Sequence, residues 1–173
     1  PLEYEPSSAL AHTLEGSRVW EFELAGFLAT QLGLKQKSVV RFVQPHRAGR
    51  VPVVLVHGTA SSAGRWADVV NELQADESLR DRIEPWLFTY HTGNPIPVSA
   101  GELRNALSAA VARLDPEGLD PALRRMVVIG HSQGGLLTKM MAVSSGDAFW
   151  RLTSSRPYDE VAQRLRPETR QIV

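Results

Sequence analysis

Residues 125–135, Arg-Met-Val-Val-Ile-Gly-His-Ser-Gln-Gly-Gly, constrain the fold more tightly than any other stretch of the chain. Val127, Val128 and Ile129 are consecutive apolar β-formers with no polar alternation, the pattern of a parallel strand covered on both faces. Leu136, Leu137, Met140 and Met141 recur at helical spacing directly afterwards. Between strand and helix, Gly130 and Gly134 stand two residues either side of Ser132, and a turn this tight leaves no room for a Cβ at either place. Ser132 must then adopt a strained backbone conformation that lifts its Oγ clear of the sheet, with the N-terminal amides of the next helix turned towards a reacting oxygen. A nucleophilic serine belongs on such a turn.

A second stretch, Val51-Pro52-Val53-Val54-Leu55-Val56-His57-Gly58-Thr59-Ala60-Ser61-Ser62, also runs from a doubly buried strand into small residues. Its Gly58 lets the backbone pass close to a substrate. A tetrahedral oxyanion needs two backbone N–H donors converging from different segments, and a loop of this kind supplies one of them.

With these two motifs the chain resembles the α/β-hydrolases, in particular bacterial serine esterases and lipases carrying Gly-His-Ser-Gln-Gly-Gly. The resemblance implies a three-layer α/β/α sandwich with a mainly parallel sheet. It implies that Ser132 is the nucleophile and that the amides of Thr59 and Gln133 form the oxyanion hole, with Ala60 the neighbouring candidate. His57, Gly58, Gly130, His131 and Gly134 are then supporting residues: His57 braces the oxyanion loop and His131 is structural. No metal or organic cofactor is implied.

The same resemblance implies a chain order of serine, then acid, then histidine. The five histidines are His12, His46, His57, His91 and His131, and none follows Ser132. Of these, His91 alone stands where a parallel strand exits on the same edge as Ser132, within a His91-Thr92-Gly93-Asn94-Pro95 loop that shapes the pocket wall. Asp147 and Asp159 follow the serine without a clear strand before them, so acid and base stay unassigned. The expectation is that the C-terminal part of the domain is absent. The Ser132 strand would otherwise be a bare apolar edge, which soluble proteins avoid, and Gln171-Ile172-Val173 enters a further apolar run. The expected partner is that remaining part, in cis or as a separate chain.

Three regions are expected along the chain. Residues 1–36 form a lead-in that packs on the core, with a helix around 17–31; residues 37–145 form the hydrolase core; residues 146–173 hold a cap segment, marked by Phe149, Trp150 and Leu152, and the start of the missing part. Within the core, strands are expected at 38–43, 51–56 and 86–90. A helix is expected at 64–73, with Trp66, Val69, Val70 and Leu73 on one face. Another runs from Ser99 to Leu114, where Glu102 completes a capping box.

Composition fits a soluble enzyme of one core. Nineteen basic and nineteen acidic residues cancel, so no net field draws the chain to nucleic acid or an anionic membrane. No apolar run reaches the roughly 18 residues that span a bilayer, and no charged-then-apolar leader opens the sequence. The absence of cysteine removes disulfides, thiol catalysis and thiolate metal sites. The favoured function is cleavage of a small-molecule or lipid carboxylic ester through an acyl-enzyme on Ser132. Acyl transfer, or thioester or amide cleavage, uses the same nucleophile, and a hydrolase-like scaffold that binds without catalysis is the third reading.

Overall fold

A computed structural model of the chain describes residues 38–144, 146–166 and 170. The expected lead-in over 1–36 and the final Gln171-Ile172-Val173 lie outside the described residues. The elements run β1 (Val39–Phe42), β2 (Val51–Val56), a 3-10 turn (Ala63–Trp66), α1 (Ala67–Ala75), β3 (Ile83–Thr89) and α2 (Ile96–Leu114). A second 3-10 turn (Leu123–Arg125) leads into β4 (Val127–Gly130) and α3 (Gln133–Ala142), followed by the short helices α4 (Ala148–Thr153) and α5 (Tyr158–Val161).

The four strands form one sheet in the order β1-β3-β2-β4. β2 pairs in parallel with β3 on one side, from Val51↔Ile83 to Val56↔Phe88, and with β4 on the other, from Val53↔Val127 to Val56↔Gly130. β1 joins β3 antiparallel, so the sheet is mixed with a parallel centre. β2 is central because its side chains are apolar in both directions. Val54 and Val56 bury themselves with Trp86 and Phe88 of β3, Leu103 and Leu107 of α2, and Leu137 of α3. Val53 and Leu55 point the other way, onto Val70 of α1. Helices on both faces make the three-layer α/β/α arrangement.

Several local expectations shift for identifiable reasons. α2 begins at Ile96 rather than Ser99: Pro95 sits at the N-cap and Pro97 in the first turn, where a missing N–H is harmless. Ser99 is therefore fully buried inside the helix and caps nothing, and Glu102 instead accepts a hydrogen bond from Ser38 Oγ at 2.7 Å, which ties β1 to α2. β3 starts three residues earlier than its aromatic cluster suggests, at Ile83, because Glu84 is an internal strand residue. Val69 faces solvent while Trp66, Val70 and Leu73 pack inward. The strand before the serine is not covered on both faces: Val127 and Ile129 are 47% and 40% exposed, on the α1 side of the sheet. Among the described residues β4 has no partner on its outer edge.

Glu84 explains how β3 tolerates a carboxylate. Its Oε1 accepts from His46 Nδ1 at 2.7 Å and from Trp86 Nε1 at 3.0 Å, and Oε2 from the amide of Arg47 at 3.2 Å. Nearby, Asp120 accepts from the amides of Gly49 and Ala122, and its carboxylate lies 3.9 Å from His46 Nε2. This cluster holds the β1–β2 connection and the loop before β4 at the N-terminal end of the parallel strands. Glu84→Ala should leave the buried Trp86 indole N–H without its acceptor and destabilise the protein by about 2–4 kcal/mol. Urea unfolding checks this, and a loss below about 1 kcal/mol would show that water replaces the carboxylate.

Candidate active site

The C-terminal ends of β2, β3 and β4 bring three short segments together: residues 57–60, residues 90–92 and the turn at 131–134. Ser132 lies between β4 and α3 with φ 55° and ψ −122°, and it is exposed. Ala60 has φ 49°, and these two are the only non-glycine residues with positive φ among the described residues. Left-handed backbone at an ordinary residue costs on the order of 1–3 kcal/mol and persists only where the surroundings impose it.

The surroundings do impose it. A Cβ on Gly134 would stand 2.3 Å from the Val56 carbonyl oxygen and 2.7 Å from that of His57, and one on Gly130 would stand 2.3 Å from the Gly134 carbonyl. The first turn of α3 thus lies directly on the end of β2, and the His131 amide continues the strand pairing by donating to Val56 O at 3.0 Å. Gly58 is equally confined, since a Cβ there would come within 2.9 Å of Ser132 Cβ and 3.2 Å of His131 Nδ1. The loop after β2 therefore runs against the serine, and the His131 ring lies beside Gly58.

His57 is buried beneath this loop. Its Nδ1 donates to the Gly58 carbonyl at 3.0 Å, and its ring stacks on Tyr90 with centroids 4.6 Å apart. Tyr90 Oη in turn donates to the His57 carbonyl at 2.8 Å. Burial pushes the Tyr90 hydroxyl well above the ordinary tyrosine range, so it stays a donor at any physiological pH.

The amide of Ala60 donates to Thr92 Oγ1 at 3.2 Å. Among the described residues no hydrogen bond takes up the amide of Thr59, an exposed residue next to Gly58, or that of Gln133, the residue after Ser132. Their side chains do interact: Thr59 Oγ1 donates to Gln133 Oε1 at 2.9 Å, and Gln133 Nε2 donates to the Thr92 carbonyl at 3.2 Å. Sequence alone put Thr92 in the loop expected to shape the pocket wall and Tyr90 at the end of a strand; the hydrogen-bond partners of their side chains were not legible. The available signal was their place just beyond the end of a parallel strand, where α/β sheets gather functional groups.

No hydrogen bond joins Ser132 Oγ to a histidine or a carboxylate among the described residues. His91, the strand-exit histidine, is buried, and its carbonyl accepts from the Asn94 amide. Asp147 pairs with Arg151 on α4, in a segment where Trp150 packs edge-on against Tyr158. Among the described residues no group of three His, Asp or Glu side chains is disposed to hold a metal.

Gly134 and Gly135 are adjacent in α3 yet differ sharply. A Cβ on Gly135 would make only ordinary contact, 3.4 Å from the Gly130 carbonyl oxygen. Gly134→Ala should therefore destabilise by about 1–3 kcal/mol, as overpacking against immovable backbone does. Gly135→Ala should be neutral or stabilising by up to about 1 kcal/mol through helix propensity. Thermal unfolding of the two variants checks the contrast, and equal midpoints would show that α3 is free to slide away from β2.

Comparison with known protein families matches residues 53–170 to the alpha/beta hydrolase family. Neither the curated proteins nor the solved structures give a match to the chain. The matched region takes in the central strand β2 from Val53 onward, the loop after it, the serine turn and the helices that pack on them, which is more than half of the chain; the chain belongs to the alpha/beta hydrolase family.

Proposed function

We propose that the chain carries the nucleophile and the oxyanion hole of a serine hydrolase that cleaves carboxylic esters of small molecules or lipids. The observation that carries this reading is the positive-φ serine between β4 and α3, pressed against a glycine loop whose Thr59 amide is unengaged among the described residues. Ser132 Oγ attacks the acyl carbon, its proton passes to a histidine base, and the carbonyl oxygen becomes an oxyanion held by the amides of Thr59 and Gln133. Collapse expels the alcohol, which takes up that proton. Water then adds to the acyl-enzyme, and the acid leaves as Ser132 regains its proton.

The base and the acid that orients it belong, in this proposal, to polypeptide that pairs with the outer edge of β4, in cis or as a separate chain. An apolar strand with Val127 and Ile129 exposed and no neighbour among the described residues is an edge that invites such pairing. The His131 amide points towards β2, so by the period-two alternation of a strand the amides of Val128 and Gly130 point outward. In the intact protein these two amides should exchange with deuterium as slowly as those of β2. Rapid exchange at both would remove the proposed partner strand.

For the chemistry, Ser132→Ala in the intact protein should abolish turnover of p-nitrophenyl esters and labelling by a fluorophosphonate. Gly58→Val, which crowds Ser132 and displaces the Thr59 amide, should lower kcat by on the order of 10²-fold with less effect on KM, because the oxyanion exists only beyond the ground state. Undiminished turnover by the alanine variant would end the serine-hydrolase reading. A Gly58→Val enzyme with raised KM and normal kcat would show that the loop only binds substrate.

A further inference from the structure

We propose that Thr92 and the Gln133 carboxamide are positioning residues that lock the oxyanion loop, a role that rests on the serine-hydrolase reading above. Three hydrogen bonds link three segments into one closed arrangement. The Ala60 amide donates to Thr92 Oγ1, the Thr92 carbonyl accepts from Gln133 Nε2, and Gln133 Oε1 accepts from the hydroxyl of Thr59, next in the chain to Ala60. The loops after β2 and β3 and the first residue of α3 are thereby joined above the sheet.

The orientation of the carboxamide follows from its partners. The Thr92 carbonyl can only accept, so the amide nitrogen faces it, and the Thr59 hydroxyl donates to the oxygen that remains. Thr92 is 6% exposed and acts in two directions, with its hydroxyl on the loop and its main chain on Gln133. The amide that its hydroxyl receives belongs to Ala60, the loop residue with φ 49°. The Gly58 carbonyl, in the same peptide as the Thr59 amide, accepts from His57 Nδ1, while the tethered Thr59 side chain and Ala60 amide hold the chain on the far side of that peptide. A donor that is already oriented needs no reorganisation when charge develops on the substrate oxygen. The arrangement also divides Gln133 into two parts with separate tasks: its main-chain amide faces the oxyanion, and its side chain fixes the opposing donor.

Thr92→Val keeps the shape and removes the acceptor; Gln133→Met keeps the main-chain amide and removes the carboxamide. In the intact protein each should lower kcat by about tenfold, the equivalent of about 1.4 kcal/mol, with KM within about twofold. Phosphonylation of Ser132 should slow in parallel, and Thr92→Ser should restore kcat to within about twofold. Deuterium exchange at the Ala60 amide reports the tether without reference to activity, and Thr92→Val should speed it at least about tenfold. Wild-type kcat in both Thr92→Val and Gln133→Met, with Ser132→Ala inactive, would overturn the positioning role and leave the nucleophile standing. A loss of activity that Thr92→Ser does not recover would overturn it as well, since shape and not the hydroxyl would then be at issue. Turnover by Ser132→Ala would instead remove the reading on which the proposal rests, while unchanged Ala60 exchange in Thr92→Val would refute the tether itself. Should the Thr92→Val protein not fold, the half-buried Gln133→Met variant carries the same kinetic test.

Discussion

The first turn of α3 rests on the end of β2 with no atom to spare, and the arrangement of the other loops follows from that contact. Gly134 abuts the carbonyls of Val56 and His57, while Gly130 abuts Gly134 itself, so the strand that precedes the turn and the helix that follows it are both referenced to the central strand. Because β2 has β3 on one side and β4 on the other, the same strand end also sets where the 57–60 loop and residues 90–92 leave the sheet. Ser132 is thereby located against Gly58 by main-chain contacts, which do not fluctuate between rotamers as side-chain contacts do.

Strain in the described chain is concentrated where the loops converge. Ser132 and Ala60 carry it, one on the turn and one on the facing loop. Each deviation is of the same order as one good core contact, so neither could persist on an isolated hairpin. The sheet supplies the restraint through Val54, Val56, Trp86 and Phe88 packed on α2 and α3, with Val53 and Leu55 packed on α1. Tyr90 and His57 then transmit it upward, since the stacked rings and the Tyr90 hydroxyl hold the His57 carbonyl directly under the glycine loop.

What the sequence disclosed and what it hid separate along physical lines. The strand at 51–56 and the turn around Ser132 were legible because unbroken apolar runs and paired glycines have few alternative uses. The start of α2 was not: Ser99 and Glu102 form a plausible capping box, and the prolines at 95 and 97 outweigh it because they favour a start whose first N–H groups are absent in any case. Exposure of Val127 and Ile129 was hidden in the opposite way. Composition reports what a strand would bury when fully flanked, and it cannot report which flanks are occupied in the described part of the chain. Thr92 was legible only as a member of the pocket-wall loop, because its contribution combines a hydroxyl with its own carbonyl, and a main-chain acceptor leaves no trace in residue identity.

The two ends of the parallel sheet treat polar groups in contrasting ways. At the N-terminal end, Glu84 and Asp120 are satisfied by His46, Trp86 and main-chain amides, with His46 set between the two carboxylates. At the C-terminal end, the hydrogen bonds go around the serine: Ala60 to Thr92, Thr92 to Gln133, Gln133 to Thr59. The amides of Thr59 and Gln133 are left between them. A folded chain ordinarily gives buried or half-buried amides a partner. Thr59 is exposed and Gln133 only half-buried, so solvent meets this need in the free protein, and under the proposed function a substrate oxygen takes its place.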